Sequence, residues 1–442
     1  MKFNSNLSTW GLCLTIPLSQ ISLSQTENVR QAGASSNVHQ NGNAESLSNH
    51  GVCDYQEFCH MKIKHLAAAL ALGAMTTTSA FAAALPDLPV PFKSGAGAMN
   101  DGVIYVGLGT AGQDWYKLDT KAKSPKWEAI AKFPEAARDQ AQAVALNNKI
   151  YVFGGVGKIT SDILSVSNEV FEYDPAKNTW SKLLTRSPIG LTGHTVVSAD
   201  GKNAIVVGSV NKEIFDGYFK DLDYAAKKGN KALTDKINAD YISKPVKDYF
   251  FNKAVLQYDP QANAWSYLGD LPYFGTAGSA VAVDPKDQSV FVVNGERKPG
   301  LRTATAVEFS VVDGAARFTP APDLIPAKGE KVQEGVAGAF SGYSNGTLVV
   351  IGGANFPGST AKYAKGKNFA HEGCTKTWRD EIYTYADGAW TFAGKLDTPI
   401  AYGVSIQNGD ELIMVGGETS GGKATTDVIT VSVKDGKVVT EK

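Results

Sequence analysis

The sequence has little of what staples, metallates or electrically steers a protein. Its 442 residues hold only four cysteines and six histidines, and 43 Lys and Arg against 44 Asp and Glu leave a formal net charge of -1. Such a balance offers no electrostatic footprint for nucleic acid or an anionic membrane surface. An acidic ligand would have to be met by local basic residues. Long apolar runs are missing too, since Leu66 to Met75 (LAAALALGAM) is too short to span a bilayer. What remains, 43% hydrophobic residues with 45 Gly, 17 Tyr and 19 Phe, suits a globular, β-rich chain better than a disordered or fibrous one.

The apolar run does have a meaning. Lys62 and Lys64 precede it and Ala80-Phe81-Ala82 follows it, the layout of a secretory signal peptide that starts at Met61. A signal acts at an amino terminus, and the Ser-, Asn- and Gln-rich stretch from Met1 to His60 has no sustained periodicity. Residues 1–60 are therefore expected to be a non-native or disordered extension, residues 61–82 the signal, and residues 83–442 the mature, exported protein without membrane insertion. Export removes Cys13, Cys53 and Cys59 and leaves Cys374 alone, so no internal disulfide can form and the fold must rest on its core or on ring closure. The two histidines left, His194 and His371, lie far apart with one cysteine and do not make a dedicated transition-metal site, although carboxylates could hold a harder cation.

Six times a short β-branched apolar run ends in a glycine: IYVGLG from Ile104, IYVFGG from Ile150, AIVVGS from Ala204, VFVVNG from Val290, LVVIGG from Leu348 and LIMVGG from Leu412. A second motif follows in most units, an aromatic or apolar strand, a turn, and then Trp127, Trp180, Trp265 or Trp390, with Phe318 in the fourth unit and no substitute in the sixth. These features resemble the kelch repeat, whose period is about 50 residues, and imply an all-β, six-bladed kelch-type β-propeller. Each unit is then a four-stranded meander that cannot bury both faces alone and packs radially against its neighbours. The glycines allow close backbone approach and the Tyr and Trp supply packing surface, so none of them is assigned a catalytic role.

In a meander of strands a to d, the b–c loop and the connection from d to the next strand a open on one face, where functional residues are expected. Two stretched intervals place insertions there. One, from about Asn211 to Asn252, carries DLDYAAKKG and ALTDKINADYIS, expected to form short helices in the third blade; the other runs from about Ala354 to Trp378. Glu296 follows the glycine of NGERKPGLR, which also supplies Arg297, Lys298 and Arg302, and the d–a connections bring Arg138, His194, Glu334 and Tyr402 to the same face. A carboxylate among arginines can be a general base or a solvated salt-bridge partner, and His194 can equally be a hydrogen-bonding strand cap.

From about Leu85 onward the chain resembles the periplasmic N-acetylneuraminate epimerase (sialic acid mutarotase) family. The segments that carry the resemblance include RDQAQA, IFDGYFKDL, DKINADY, WSYLGDLPYFGTAG, NGERKPGLRT, GKNFAHEG and GGETSGGKA, several of them in loops outside the propeller framework. The resemblance implies interconversion of the anomers of free N-acetylneuraminic acid in the periplasm, with no redox or metal cofactor, by a homodimer. It also implies that Glu296 is the proton acceptor. Arg302 and Arg138, then Arg297, are the candidates for the substrate carboxylate, and His194, Glu334 and Tyr402 for its other polar groups. A neighbouring arginine is expected to keep Glu296 ionised. Three rivals stand beside this expectation: a non-catalytic propeller binding a glycan or protein, a copper oxidase that one Cys and two His cannot equip, and a sialidase, whose S-x-D-x-G-x-x-W repeat does not recur here.

Overall fold

A computed structural model describes residues 84–442. The expected extension and signal peptide lie outside the described residues. Six four-stranded antiparallel sheets follow one another along the chain, spanning 96–129, 142–182, 195–270, 280–321, 340–395 and 404–441. They are the six blades of a β-propeller, and every blade is built from one contiguous stretch.

Strand b explains the uniform apolar runs. Ile104 to Val106, Ile150 to Phe153, Ala204 to Val207, Val290 to Val293, Leu348 to Ile351 and Leu412 to Val415 are all buried, because each lies between two neighbouring blades and has no solvent face. Strand a is poorer in bulk since six such strands converge on the axis. A Cβ on Gly97 would stand 2.8 Å from Val106 and 2.9 Å from Val404 of the last blade. Outer-strand tryptophans tie neighbours together: Trp180 donates to the Ala131 carbonyl at 2.9 Å and Trp390 to Pro322 at 2.8 Å.

The glycine that ends strand b has a specific task. Its amide donates to a carbonyl at the entry of the next blade, Gly109 to Arg138, Gly155 to Leu191, Gly295 to Val336 and Gly353 to Ile400, with Ser209 to Thr276 in the third blade (2.7–3.1 Å). The sixth bond, Gly417 to Phe92 at 2.7 Å, runs from the last blade to the segment before the first. The ring is therefore closed by Phe92 standing in the equivalent entry position, not by a strand exchanged between the ends. Phe92 also packs with Leu88, Ile104, Val404, Ile413 and Val415 across the closure, and Trp127 donates to the Pro86 carbonyl at 2.9 Å.

Two residues beyond each of these carbonyls stands a left-handed residue: Ser94, Gln140, Gly193, Gly278, Gly338 and Tyr402, with φ between 54° and 69°. Five hydrogen bonds of 2.6–2.8 Å join them around the axis, Gln140 to Ser94, Gly278 to Gly193, Gly338 to Gly278, Tyr402 to Gly338 and Ser94 to Tyr402. Three members are not glycine and carry a strain on the order of 1–3 kcal/mol each, which the ring of bonds over-determines. The collar residues and the strands a beneath them line a central cavity of about 150 Å³.

The insertions depart from expectation in extent. Helix α1 (Lys212–Lys227) starts well before DLDYAAKKG, capped by Asn211, whose side chain accepts from the Ile214 amide; its opening KEIFDGYF reads as aromatic and strand-like unless the cap is seen. Helix α2 (Lys231–Ile242) follows directly, capped by Asn230. The fifth blade's insertion contributes a third helix, α3 (Ser359–Ala364), that was not expected. Among the described residues no helix is long and apolar enough to cross a membrane.

Because the ring of Phe92 is wholly buried across the closure, Phe92→Ala, which keeps the closing carbonyl, is expected to destabilise the propeller by about 3–5 kcal/mol, measured by urea unfolding. A loss below about 1 kcal/mol would show that closure does not depend on that ring.

Candidate active site

In the fourth blade, strand b (Val290–Val293) is followed by a small hairpin, Glu296–Lys298 paired with Leu301–Arg302. Glu296 bridges the backbone of Ala277, just before the collar residue Gly278, so its side chain is held at the mouth of the channel. Across the hairpin its partner is Arg302. One carboxylate oxygen, Oε1, lies 2.8 Å from Arg302 Nη1 and accepts from the Gly300 amide at 2.8 Å. The other, Oε2, has no hydrogen-bond partner. Both side chains are sealed from solvent, and the Arg302 guanidinium stacks over Phe356 at 5.0 Å.

Burial pushes the Glu296 pKa above the ordinary carboxylate value; Arg302, the Gly300 amide and Lys376 pull it down but do not win. Desolvation is thus the larger effect on this carboxyl, with the expected arginine opposing it. A carboxyl group moved toward neutrality can both take and return a proton.

The hairpin is locked by its neighbours. Gly300 sits at φ 78°, and a Cβ there would lie 1.8 Å from His371 Nδ1, so only glycine turns the chain under that ring. His371 is flanked by Phe356 and Phe369 at 4.9 Å each. Lys298 Nζ donates to the carbonyls of Ile242, Lys244 and Asn368, tying the hairpin to both insertions at once; its burial pulls the pKa down to about 8.

This arrangement can be set beside known proteins. Residues 85–440 match the N-acetylneuraminate epimerase family. The chain belongs to that family. It is 48% identical to an N-acetylneuraminate epimerase of Salmonella arizonae over 84% of this chain and 96% of the relative. It is 45% identical to one of Escherichia coli O9:H4 over 83% of this chain and 97% of that relative. The solved structure of YjhT superposes with a TM-score of 0.77 at 44% identity, covering 81% of this chain and 99% of that one.

Not every residue expected at the epimerase-family site is brought to Glu296. The buried guanidinium of Arg138 lies over Phe133 and Phe171 at 4.9 and 5.2 Å and faces Glu135, Glu169 and Ser167, so it joins the first two blades and its donors are spent there. Arg297 points to the other side of the hairpin and stacks over Phe274 at 5.0 Å. Glu334 accepts from the Gly358 and Thr360 amides and the Ser359 and Thr360 hydroxyls, which fixes the start of α3 and leaves it a positioning group. His194 lines the channel below the collar. Tyr402, a collar member, is near the mouth, with Lys376 Nζ 4.8 Å from its ring.

A second charged group went unpredicted. Glu418 occupies in the sixth blade the position of Glu296 in the fourth: it bridges Ala401 as Glu296 bridges Ala277. Lys93 Nζ and Lys376 Nζ each stand 2.6 Å from it. Burial would raise its pKa, but the two lysines more than offset this and hold it below the ordinary value. The motif VGGE, aligned with VNGE in the repeat, was the available signal. Among the described residues no group of three or more His, Cys, Asp or Glu side chains is placed to hold a metal ion.

Burial pushes the pKa of His194 down to about 3 and that of His371 to about 4 from 6.5. Folded values below the unfolded one mean that protons bind the unfolded chain first, so stability is full above about pH 6.5 and falls as pH drops toward 3–4. His194→Gln should lose less Tm than the parent between about pH 7 and pH 5, by calorimetry; equal losses would contradict this origin.

Proposed function

We propose that the protein interconverts the α- and β-anomers of free N-acetylneuraminic acid by ring opening at Glu296. The observation that carries this is the pairing of a buried carboxyl whose one oxygen is fixed by Arg302 and the Gly300 amide with a second oxygen that has no partner. The anomeric carbon, C2, bears a carboxylate and a hydroxyl but no hydrogen, so no proton can be abstracted from carbon.

Glu296 Oε2 takes the proton of the anomeric hydroxyl. The electron pair of that O–H bond forms the C2 carbonyl, the bond from C2 to the ring oxygen breaks, and the ring oxygen takes a proton from water or an acid. In the open ketone the C2 carbonyl turns its other face; the hydroxyl formed from the ring oxygen gives its proton back to the conjugate base of that water or acid and adds to C2, and Glu296 returns its proton to the C2 oxygen. Arg302 is a planar donor fork set beside the base. Its ion pair fixes the base before substrate arrives, which removes part of the entropic cost of orientation.

The signal layout at residues 61–82 supports export to the periplasm and action there on free sugar. Homodimeric assembly belongs to the same proposal and rests on the family resemblance.

Freshly released α-N-acetylneuraminic acid followed by proton NMR tests the activity, with acceleration over buffer expected; none would remove the enzymatic reading. Glu296→Gln should lower the rate by about 10²–10⁴-fold, and an undiminished rate in folded variant would remove Glu296 as the base. Since the base must be ionised, kcat/KM should fall on the acid side, with a midpoint above the ordinary carboxylate value.

A further inference from the structure

We propose that Lys376 is a specificity-determining residue that receives the carboxylate of the sugar acid, and that Glu418 and Lys93 position it. This rests on the function proposed above. Lys376 comes from the fifth blade's insertion: it is ion-paired to Glu418 at 2.6 Å, and its charge pulls the Glu296 pKa down. Its side chain is only 10% exposed. The ammonium lies over the rings of Trp378 at 4.7 Å and Tyr402 at 4.8 Å, so it is a held group and not a roaming surface lysine.

The pattern of hydrogen bonds leaves it capacity. An ammonium has three donors, and one goes to Glu418 Oε1, which also accepts from Trp378 Nε1 at 3.0 Å. Glu418 Oε2 is taken by Lys93, whose Nζ is further fixed by the Gly422 carbonyl at 2.7 Å. Glu418 is thereby spoken for on both oxygens and anchors Lys376 by one side only.

Charge points the same way. Glu296 and Arg302 pair one to one, whereas Lys93 and Lys376 share Glu418. Asp139, whose pKa burial pushes up to about 6, interacts with Lys93; Lys376 has only its share of Glu418, and a monoanionic ligand would complete its pairing. In the substrate the carboxylate is attached to the carbon that bears the hydroxyl facing Glu296, so that anion needs a cation at the same mouth, where Lys376 lies over the ring of the collar residue Tyr402.

The test compares wild type, Lys376→Met, Lys376→Arg and Glu418→Gln on N-acetylneuraminic acid and on its uncharged methyl ester. Lys376→Met should raise KM for the acid about 10- to 100-fold with a much smaller change in kcat, and should lose most of the preference for acid over ester. Lys376→Arg should recover part of that preference, and Glu418→Gln should weaken it without abolishing turnover. In Lys376→Met the acid limb of the kcat/KM profile should also move to higher pH, because a cation that lowers the Glu296 pKa has gone. Wild-type activity with an unchanged KM and unchanged acid preference in folded Lys376→Met overturns this role alone. Should Lys376→Met fail to fold, quenching of tryptophan fluorescence by acid and ester in Lys376→Gln decides the same point. A wild type that accelerates neither substrate overturns the proposed function and this role with it.

Discussion

Everything at the mouth of this propeller depends on one repeated hydrogen bond, the amide at the end of strand b donating to the entry carbonyl of the following blade. Six copies close a circle, and the sixth closes only because Phe92 stands before the first blade as Arg138, Leu191, Thr276, Val336 and Ile400 stand before the others. The bond fixes the position just beyond it, where the backbone pairs with the residue preceding the collar: Glu296 with Ala277 and Glu418 with Ala401. Without that restraint the two carboxylates would sit on mobile loop tips. With it they are carried at set places on a rigid ring, as a site built on rigid elements requires.

Equivalent positions then diverge through their surroundings. Glu296 meets one guanidinium and a lid of buried side chains, so desolvation dominates and its pKa rises; Glu418 meets two ammoniums at 2.6 Å and is held down. Only the first keeps an oxygen without a partner. Two carboxyls placed by one repeat are thereby driven to opposite protonation behaviour, a separation that commonly marks distinct acid–base and structural roles. Lys298 adds the closure, reaching carbonyls on both insertions from the same hairpin that bears Glu296.

The blades were legible because a repeat writes the same packing problem six times. Apolar strand b, its terminal glycine and the outer-strand aromatics each answer a contact that recurs between every pair of blades. The insertions were less legible, since they occur once: the start of α1 depends on the Asn211 cap more than on a long periodic pattern. Of the proposed site, Glu296 and Arg302 could be named together because they share one nine-residue hairpin segment. Arg138 and Glu334 were misjudged for a common reason. Both lie in d–a connections, as expected, but side chains there can turn toward the framework, and both found local partners.

By itself the sequence determined the six-bladed all-β ring, the face on which its loops gather and the hairpin carrying Glu296, all of which follow from local pattern and chain order. Tertiary structure alone decided which charges meet. Lys93, Lys376 and Glu418 lie up to 325 residues apart and are joined only by ring closure and the fold of the fifth blade's insertion. Coulomb interactions and desolvation depend on distance and burial in space, and neither is written in the spacing of residues along the chain.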